Sequence, residues 1–350
     1  MKKSFYVIYI LFICLILFFL LFGFKSISKN KLIRGNGKQT VLKDSIYFKY
    51  EKISGIGYTE GISRRDPSDI IKVGDLYYIW YTKITANSCL YPSGYCGTIW
   101  YATSPDGYSW IEKGEALSVG ENSEFDSHAV FTPNILKYKD KYYLYYTGVK
   151  PTPENPFNEF ENNSDTDITA IGVAVSDSPD GPFVRINREP ILMFSNITMD
   201  FDSYRVDDAS LLVRDKKIWL YYKGRSRIYG KEGPKFTKMG VALSNHPEGP
   251  FYKQKKPLLD GSHEVLIWNQ DGGIAALASI SSSIQFAPNG FNFSSAQNNL
   301  KQIPQAPGLY RPSLTEHFID TIPGWGISHM MEKNDIYLIR FNIVSNNETN

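Results

Sequence analysis

The sequence predicts an all-β fold, a five-bladed β-propeller that follows an N-terminal transmembrane or signal-anchor helix. Three observations predict the propeller: an aromatic content of 15%, which favours strands, and two sequence motifs that recur in alternation along the chain. The 42% hydrophobic content suits a globular protein with a substantial core. Internal repeats decide architecture, so the recurring motifs are the strongest of these signals.

The first motif is an apolar run, a polar turn and an aromatic run. Three copies align without a gap, at residues 69–81, 134–146 and 210–222. Both arms are rich in β-branched and aromatic residues and the turn is polar. Each copy therefore predicts a β-hairpin.

The second motif follows the hairpins and joins a strand of small residues to a tight turn rich in Pro and Gly. It occurs at residues 100–107, 172–183, 240–251 and 286–293, the last copy after a hairpin-like region at 265–279. Each copy predicts a third strand that turns into a fourth.

The final stretch supplies a fifth unit, with strands expected at residues 311–316, 324–329 and 336–340. Five four-stranded units at intervals of roughly 50–75 residues match the radial repetition of a β-propeller. A β-sandwich is the alternative, and it explains the repeat less well. We further expect residues 45–58 to complete the last blade and close the ring.

The N-terminal segment differs in kind from the rest of the chain. Lys2 and Lys3 precede twenty residues without a charge, Phe5 to Phe24. This length favours an uncleaved membrane anchor over a signal-peptide core of roughly 7–15 residues, although a cleaved export signal is the alternative. We therefore expect residues 1–24 to form a transmembrane or signal segment, residues 25–45 a tether, and residues 46–350 an extracytoplasmic propeller domain.

Charge and cysteine usage narrow the partners and the compartment. The N-terminal segment holds two of the 38 basic residues and no acid, which leaves 36 bases and 36 acids in the remainder, so no nucleic-acid partner is indicated. Cys89 and Cys96 bracket a six-residue loop that a disulfide can close in an oxidising compartment, and two free thiols are the alternative.

Two aspartates stand out when the blades are aligned backward from their aromatic pairs. Asp66 and Asp207 then occupy one position just before the hairpins, where propeller blades converge on the central channel. A carboxylate beside aromatic residues is costly unless it is paired, so function or ion pairing is expected. Arg65, Arg205 and Arg311 are the candidate partners, and a purely structural salt-bridged cluster is the alternative.

Three motifs together carry a family resemblance. Arg-Arg-Asp-Pro-Ser-Asp-Ile-Ile-Lys-Val at 64–73, Tyr-Arg-Val-Asp-Asp-Ala at 204–209 and Gly-Ser-His-Glu-Val-Leu-Ile-Trp at 261–268 resemble glycoside hydrolase family 117. That family contains the α-1,3-(3,6-anhydro)-L-galactosidases and is related to family 43. The likeness spans residues 50–340, and it implies an exo-acting, inverting glycosidase that removes a terminal sugar from an oligosaccharide.

The resemblance also implies roles for site residues. Asp66 becomes the general base, Asp207 a second carboxylate that orients groups and tunes pKa, and His263 the general acid. Glu264 is the competing acid, because family 43 uses a Glu in this role. Neighbours on a strand point to opposite faces, so only one of the adjacent pair is expected to reach the substrate. A structural role for His263 is the alternative.

Other candidates near the axis are expected to bind hydroxyls or stack on a sugar ring. They are Arg65, His128, Arg205, Trp268, Tyr310 and Arg311, each weighed against simple core packing. The Pro-rich loop 151–167 is expected either to overhang the site or to be a flexible link. No metal-ligand spacing and no cofactor motif is visible, which leaves only a channel cation as an open possibility.

Alternatives to this function remain. A non-catalytic carbohydrate-binding propeller shares the aromatic platforms but needs no matched acid and base, and arabinofuranosidase-like, xylosidase-like or phosphorylase activity fits the same fold. Agar-degrading family members exchange an N-terminal helix-turn-helix segment between subunits. Residues 25–45 show no such amphipathic pattern, so the oligomeric state is left open.

Overall fold

A computed structural model describes residues 46–85, 96–152, 167–311 and 323–345. It confirms the five-bladed β-propeller, with five separate antiparallel sheets of four or five strands. In each blade the first strand lies innermost and later strands follow outward in chain order, except that the last blade takes its outermost strand from the start of the domain.

The strands are assigned to the blades as follows. Blade one contains β2 (Ile62–Arg65), β3 (Ile71–Val73), β4 (Leu76–Thr85), β5 (Thr98–Ser104) and β6 (Ile111–Leu117). Blade two contains β7 (Ala129–Tyr138), β8 (Lys141–Pro151), β9 (Asp167–Ser176) and β10 (Val184–Arg185). Blade three contains β11 (Arg205–Arg214), β12 (Lys217–Arg225), β13 (Lys238–Ser244), β14 (Tyr252–Lys253) and β15 (Leu259–Asp260). Blade four contains β16 (Val265–Gln270), β17 (Gly273–Ala278), β18 (Ser283–Ala287) and β19 (Ser294–Gln297). Blade five contains β20 (Gln305–Leu309), β21 (Trp325–Glu332), β22 (Asp335–Ser345) and β1 (Ile46–Glu51).

The ring closes as the sequence predicts. β1 pairs with β22 from Ile46 opposite Ser345 to Glu51 opposite Arg340, so the first strand of the domain completes the last blade. One boundary in this blade is wrong, because its innermost strand is β20, which precedes the stretch 311–316 expected from the sequence. Residues 312–316 themselves lie outside the described part.

The aromatic runs are buried because each blade is covered on both faces. Along β12, alternate residues point to opposite sides: Leu220 and Tyr222 pack against blade two, whereas Trp219 and Tyr221 pack against blade four. Each pair of neighbouring blades encloses its own apolar cluster in this way. The near-continuous hydrophobicity of the second strands, which lack polar alternation, is thus a consequence of propeller packing.

A buried ion pair joins four of the five blades at the axis. The Arg311 guanidinium, just after β20, lies 2.6 Å from Asp69 Oδ2 in blade one. It also donates 2.7 Å hydrogen bonds to the carbonyls of Leu211 in blade three and Ile267 in blade four. Asp69 in turn accepts from the Leu309 amide of blade five at 2.8 Å. We call Arg311 and Asp69 the axial ion pair.

Some sequence predictions fall outside the described residues. These are the anchor at 1–24, the tether at 25–45, the greater part of the loop 151–167, and Cys89. Cys96 is disulfide-bonded. Within the described ranges no helix has the length and apolar character needed to cross a membrane.

We expect Arg311→Met to lower the free energy of unfolding by about 3–5 kcal/mol, because it leaves the Asp69 carboxylate buried without its cation. Urea unfolding followed by tryptophan fluorescence measures this. Lys141→Met is the matched control, since its ion pair with Asp177 is half-exposed or more on both sides and contributes nothing measurable. Equal stabilities of the two variants would show that the axial ion pair does not hold the blades together.

Candidate active site

An irregularity at the start of the innermost strands builds the site. Four non-glycine residues there have positive φ: Asp66 at 50°, Thr132 at 45°, Asp208 at 53° and Ala306 at 39°. Strand pairing shifts register at this point in blades two, three and five. Such bulges turn a side chain out of the regular pleat and are common beside active sites.

These residues line one axial cavity of about 40 Å³, to which the innermost strands of all five blades contribute. Blade four supplies Glu264 at the corresponding level. Among the described residues, four carboxylates line the cavity: Asp66 and Asp69 from blade one, Asp208 from blade three and Glu264 from blade four. Asp69, one half of the axial ion pair, also lines the cavity, so that ion pair lies at its wall.

The predicted equivalence of Asp66 and Asp207 is wrong by one residue. Asp207 pairs with Lys223 on the second strand of its blade, and the residue that pairs at this level in blade one is Arg65, opposite Thr82. Asp208 matches Asp66 in its positive φ and in lining the cavity.

The error arises because blade one has one more residue than blade three. Ser68 and Ser210 meet equivalent second-strand partners, but Asp69 and Ile70 then stand where blade three has Leu211 alone. An alignment anchored on the hairpins without a gap is therefore displaced at the bulge. A signal was present in the sequence: Asp-Pro-Ser, Thr-Pro-Asn, Asp-Ala-Ser and Ala-Pro-Gly begin at residues 66, 132, 208 and 306.

Asp66 is buried with two partners. Arg65 Nε lies 2.7 Å from Asp66 Oδ2, as the sequence analysis expected. On the other side, His329 Nδ1 lies 3.7 Å from Asp66 Oδ1. His329 belongs to β21, and the sequence analysis did not identify it, because its position beside Asp66 depends on blade five closing against blade one.

Burial lowers the pKa of His329 to about 4, and the nearby Asp66 carboxylate acts in the opposite direction. The imidazole is therefore neutral over the physiological pH range. The neutral His329 ring adds no positive charge beside Asp66, where Arg65 already supplies one.

Asp208 shares a cation with its neighbour. Lys223 Nζ lies 2.6 Å from Asp208 Oδ2 and 3.4 Å from Asp207 Oδ1. Burial raises the pKa of the Asp208 carboxyl, with further contributions from Asp207 and Asp66, and Lys223 opposes this shift. A raised pKa suits the Asp208 carboxyl to keep a proton and to hydrogen-bond a sugar hydroxyl.

The adjacent pair His263 and Glu264 is held by its backbone. Both amides donate to Ser279 Oγ, at 3.1 and 3.2 Å, and the Ser262 hydroxyl donates to the Glu264 carbonyl at 2.8 Å. Glu264 lines the axial cavity, and His263 is not among its lining residues.

The His263 imidazole is instead hydrogen-bonded to the Pro234 carbonyl. The positive charge of Lys223 and then burial lower the pKa of His263, whereas Glu264 and Asp207 oppose the shift. A lowered pKa leaves the ring neutral near pH 7, which disfavours His263 as the proton donor that the family resemblance implies.

Several predicted sugar-binding residues have other roles. Arg311 belongs to the axial ion pair, and Arg205 is buried against Asp167. Trp268 is 4% exposed, packs between blades four and five and donates to Gln270. These side chains serve ion pairs and packing within the fold, so they are not part of the candidate site.

Two further candidates also lie away from the cavity wall. Tyr310 stacks on Trp325 at 5.1 Å and meets Tyr77 edge-on at 5.2 Å, so it packs between blades five and one. His128 precedes β7, where its amide donates to the Val149 carbonyl, and burial lowers its pKa. Within the described ranges no group of three or more His, Cys, Asp and Glu side chains is arranged to hold a metal ion.

Comparison with known proteins agrees with the fold and the cavity. A sequence model of glycosyl hydrolases family 43 matches residues 61–234, which include Asp66 and Asp208. A family 117 glycoside hydrolase of the marine bacterium Zobellia galactanivorans, Zg3597, is 29% identical with a TM-score of 0.74, over 85% of this chain and 90% of that one. No curated protein sequence matches the chain.

More distant structures share the fold. A thermostable family 43 glycoside hydrolase is 16% identical with a TM-score of 0.55, over 84% of this chain and 92% of that one. An endo-arabinase from Bacteroides thetaiotaomicron is 15% identical with a TM-score of 0.51, over 84% and 98%. At these identities the similarity concerns the propeller alone.

The fold and the comparisons together define a glycoside hydrolase of the five-bladed propeller class. Within that class the chain resembles family 117, as its three sequence motifs predicted. The match to the family 43 model agrees with the known relation between families 117 and 43.

The lowered pKa of His329 predicts a pH dependence of stability. The unfolded chain binds a proton at this residue near pH 6.5, whereas the folded protein does so only near pH 4. Stability from this residue is therefore fully present above about pH 6.5 and is lost as pH falls toward 4, by up to about 3 kcal/mol.

The measurement is the free energy of urea unfolding of the wild type and of His329→Gln between pH 4.5 and 7.5. We expect the difference between the two proteins to change steadily below pH 6.5. A constant difference across this range would contradict the buried neutral state of His329.

Proposed function

We propose that the protein hydrolyses the terminal sugar of an oligosaccharide with inversion, using Asp66 as general base and Glu264 as general acid. The observation that carries the proposal is the convergence of Asp66, Asp208 and Glu264 on one axial cavity. The resemblance to family 117 supports Asp66 as the base, whereas for the acid it implies His263. Glu264 is preferred as the acid because it lines the cavity and because family 43 uses a Glu in this role.

In the reaction, Asp66 accepts a proton from a water molecule whose oxygen forms a bond to the anomeric carbon. The bond from that carbon to the leaving oxygen breaks, and Glu264 gives its proton to that oxygen. Asp66 then holds the proton and Glu264 is ionised, and exchange with solvent restores both. The two residues come from blades one and four, with blade five between them, which favours the wider separation that inversion requires.

Asp208 takes the role that the sequence analysis gave to Asp207. Its raised pKa suits a carboxyl that hydrogen-bonds a sugar hydroxyl, and Lys223 holds it in place. Asp207 lies one residue away and contacts the same lysine, so it contributes negative charge from behind Asp208.

The shape of the cavity supports action on a chain end. Five blades surround it, and Asp69 of the axial ion pair lies in its wall, so the route along the axis is blocked where Arg311 crosses it. The first substrate to test is α-1,3-linked 3,6-anhydro-L-galactose, because family 117 contains enzymes for this sugar.

The function is tested by incubating the purified protein with neoagaro-oligosaccharides and a panel of aryl glycosides, and following the released sugar by proton NMR. We expect a monosaccharide product whose first-formed anomer is inverted, and loss of turnover by about 10³-fold or more in Asp66→Asn with sugar binding retained. A retained anomer would exclude the inverting mechanism. Binding without turnover in the wild type would favour the carbohydrate-binding alternative.

The general acid is identified from how strongly the rate of each variant depends on the leaving group of the substrate. We expect Glu264→Gln to lower kcat about 10²–10⁴-fold on substrates with a poor leaving group, and far less on 2,4-dinitrophenyl glycosides, which need no protonation. His263→Gln is the matched control, since it changes the adjacent residue and should affect both substrates alike. The reverse pattern, with leaving-group dependence only in His263→Gln, would assign the acid to His263.

We also infer that residues 1–24 anchor the chain in a membrane or direct its export, with the propeller outside the cytoplasm. The twenty uncharged residues from Phe5 to Phe24 support this, and so does the disulfide-bonded Cys96, since disulfides persist in oxidising compartments. We expect the protein to remain with membranes after carbonate extraction, or to appear in the medium if it is cleaved. Recovery in the cytosolic fraction with alkylatable Cys96 would contradict export.

A further inference from the structure

A short insertion between the second and third strands of blade three lies beside the site. It is a 3₁₀ segment at Arg227–Phe236, which we call the blade-three insertion. β12 ends at Arg225, opposite Arg205 at the start of β11, and β11 carries Asp208 three residues further on. The insertion therefore rises from the rim of the propeller on which the axial cavity opens.

The insertion is fixed to the blade beneath it. Arg225 Nη2 donates to the Gly230 carbonyl at 2.8 Å, and the Arg227 amide donates to Ser203 Oγ at 3.1 Å. A Cβ at Gly233 would lie 2.1 Å from Arg225 Nε, so the backbone lies directly against this guanidinium, which would have to move for any larger residue. These contacts hold the insertion in place before any ligand binds.

The insertion also reaches the neighbouring blade. Its Pro234 carbonyl accepts the hydrogen bond from the His263 imidazole, and the next residue, Glu264, lines the axial cavity. The insertion therefore adjoins the proposed general acid, on the side of the cavity where the leaving group departs.

Part of the apolar surface of this insertion is exposed to solvent. Tyr229 and Phe236 stack at 4.5 Å with an angle of 20° between their rings, which joins the two ends of the insertion. Phe236 is 46% exposed and Ile228 48% exposed. Aromatic rings in carbohydrate sites pack against the C–H face of a sugar, while hydroxyls are met by polar groups.

We propose that Phe236, which stacks on Tyr229, and the neighbouring Ile228 bind the second sugar of the substrate, the one that departs with the leaving oxygen. The inference rests on the proposed function. It continues the axial cavity outward past Glu264, and it makes the blade-three insertion a determinant of which oligosaccharides the enzyme accepts.

The test compares one substrate that has a second sugar with one that does not. The pair is the disaccharide of the neoagaro-oligosaccharide series and the glycosyl fluoride of its terminal sugar. We expect Phe236→Ala to lower kcat/KM for the disaccharide about tenfold, mainly through KM, and to leave kcat/KM for the fluoride within twofold. Ile228→Ala should act in the same direction with a smaller effect, and it keeps the Tyr229 stack intact if Phe236→Ala fails to fold.

Tyr252→Ala is the matched control, because Tyr252 is 70% exposed on the outer strand of the same blade. Equal losses on both substrates, or no loss on either, would overturn the proposal. Sedimentation of the wild type and of Phe236→Ala gives a further outcome. If the wild type is a dimer, the variant is a monomer and the kinetics are unchanged, the patch is a subunit interface and the proposal is overturned.

The two proposals fail in different ways. If the wild type hydrolyses neither the disaccharide nor the fluoride, the proposed hydrolysis fails. Calorimetric binding of the disaccharide and of its terminal monosaccharide then still tests the second-sugar site. A Phe236→Ala variant that weakens both equally, or neither, would contradict it.

Discussion

The axial ion pair is the interaction on which the arrangement of the blades depends. Propeller blades pack side by side through apolar clusters, which are strong but non-directional. Arg311 adds direction: its fork of donors bonds Asp69 and the carbonyls of Leu211 and Ile267, so one side chain sets the positions of blades one, three and four relative to blade five. A buried guanidinium keeps this geometry only if its charge is paired, and here Asp69 supplies the charge while Nη1 and Nη2 donate to the two carbonyls and Nε has no hydrogen-bond partner.

The same ion pair is connected to the chemistry of the cavity. Asp69 lies three residues after Asp66 and follows the bulge that gives Asp66 its positive φ. Asp69 and Ile70 together occupy the place of a single leucine in blade three, so the acid of the ion pair stands in the stretch that is one residue longer. Asp69, which closes the axis, and Asp66, the proposed base, therefore belong to a single irregular strand.

The three carboxylates of the proposed mechanism have different neighbours. Asp66 lies against Arg65, Asp208 against Lys223 with Asp207 close behind it, and Glu264 has Ser279 fixing its backbone. Lys223 lowers the pKa of His263 and so favours Glu264 over its neighbour as proton donor. A single lysine on the second strand of blade three thus affects both the second carboxylate and the choice of acid.

The sequence by itself determined the class of fold, the number of blades and the closure by residues 46–51, because hairpins and turns are local and their periodicity is visible in the residues. It also singled out Asp66 and the adjacent pair His263 and Glu264, and the structure places Asp66 and Glu264 in the wall of the cavity. It did not determine which aspartate of blade three faces the cavity, since a bulge changes the register by one residue without disturbing the hydrophobic pattern on either side. His329, Lys223 and the axial role of Arg311 were decided only by tertiary structure, because each depends on contacts between blades far apart in the chain. The same holds for Trp268 and Tyr310: their residue types suit a sugar platform, but blade packing buries their rings.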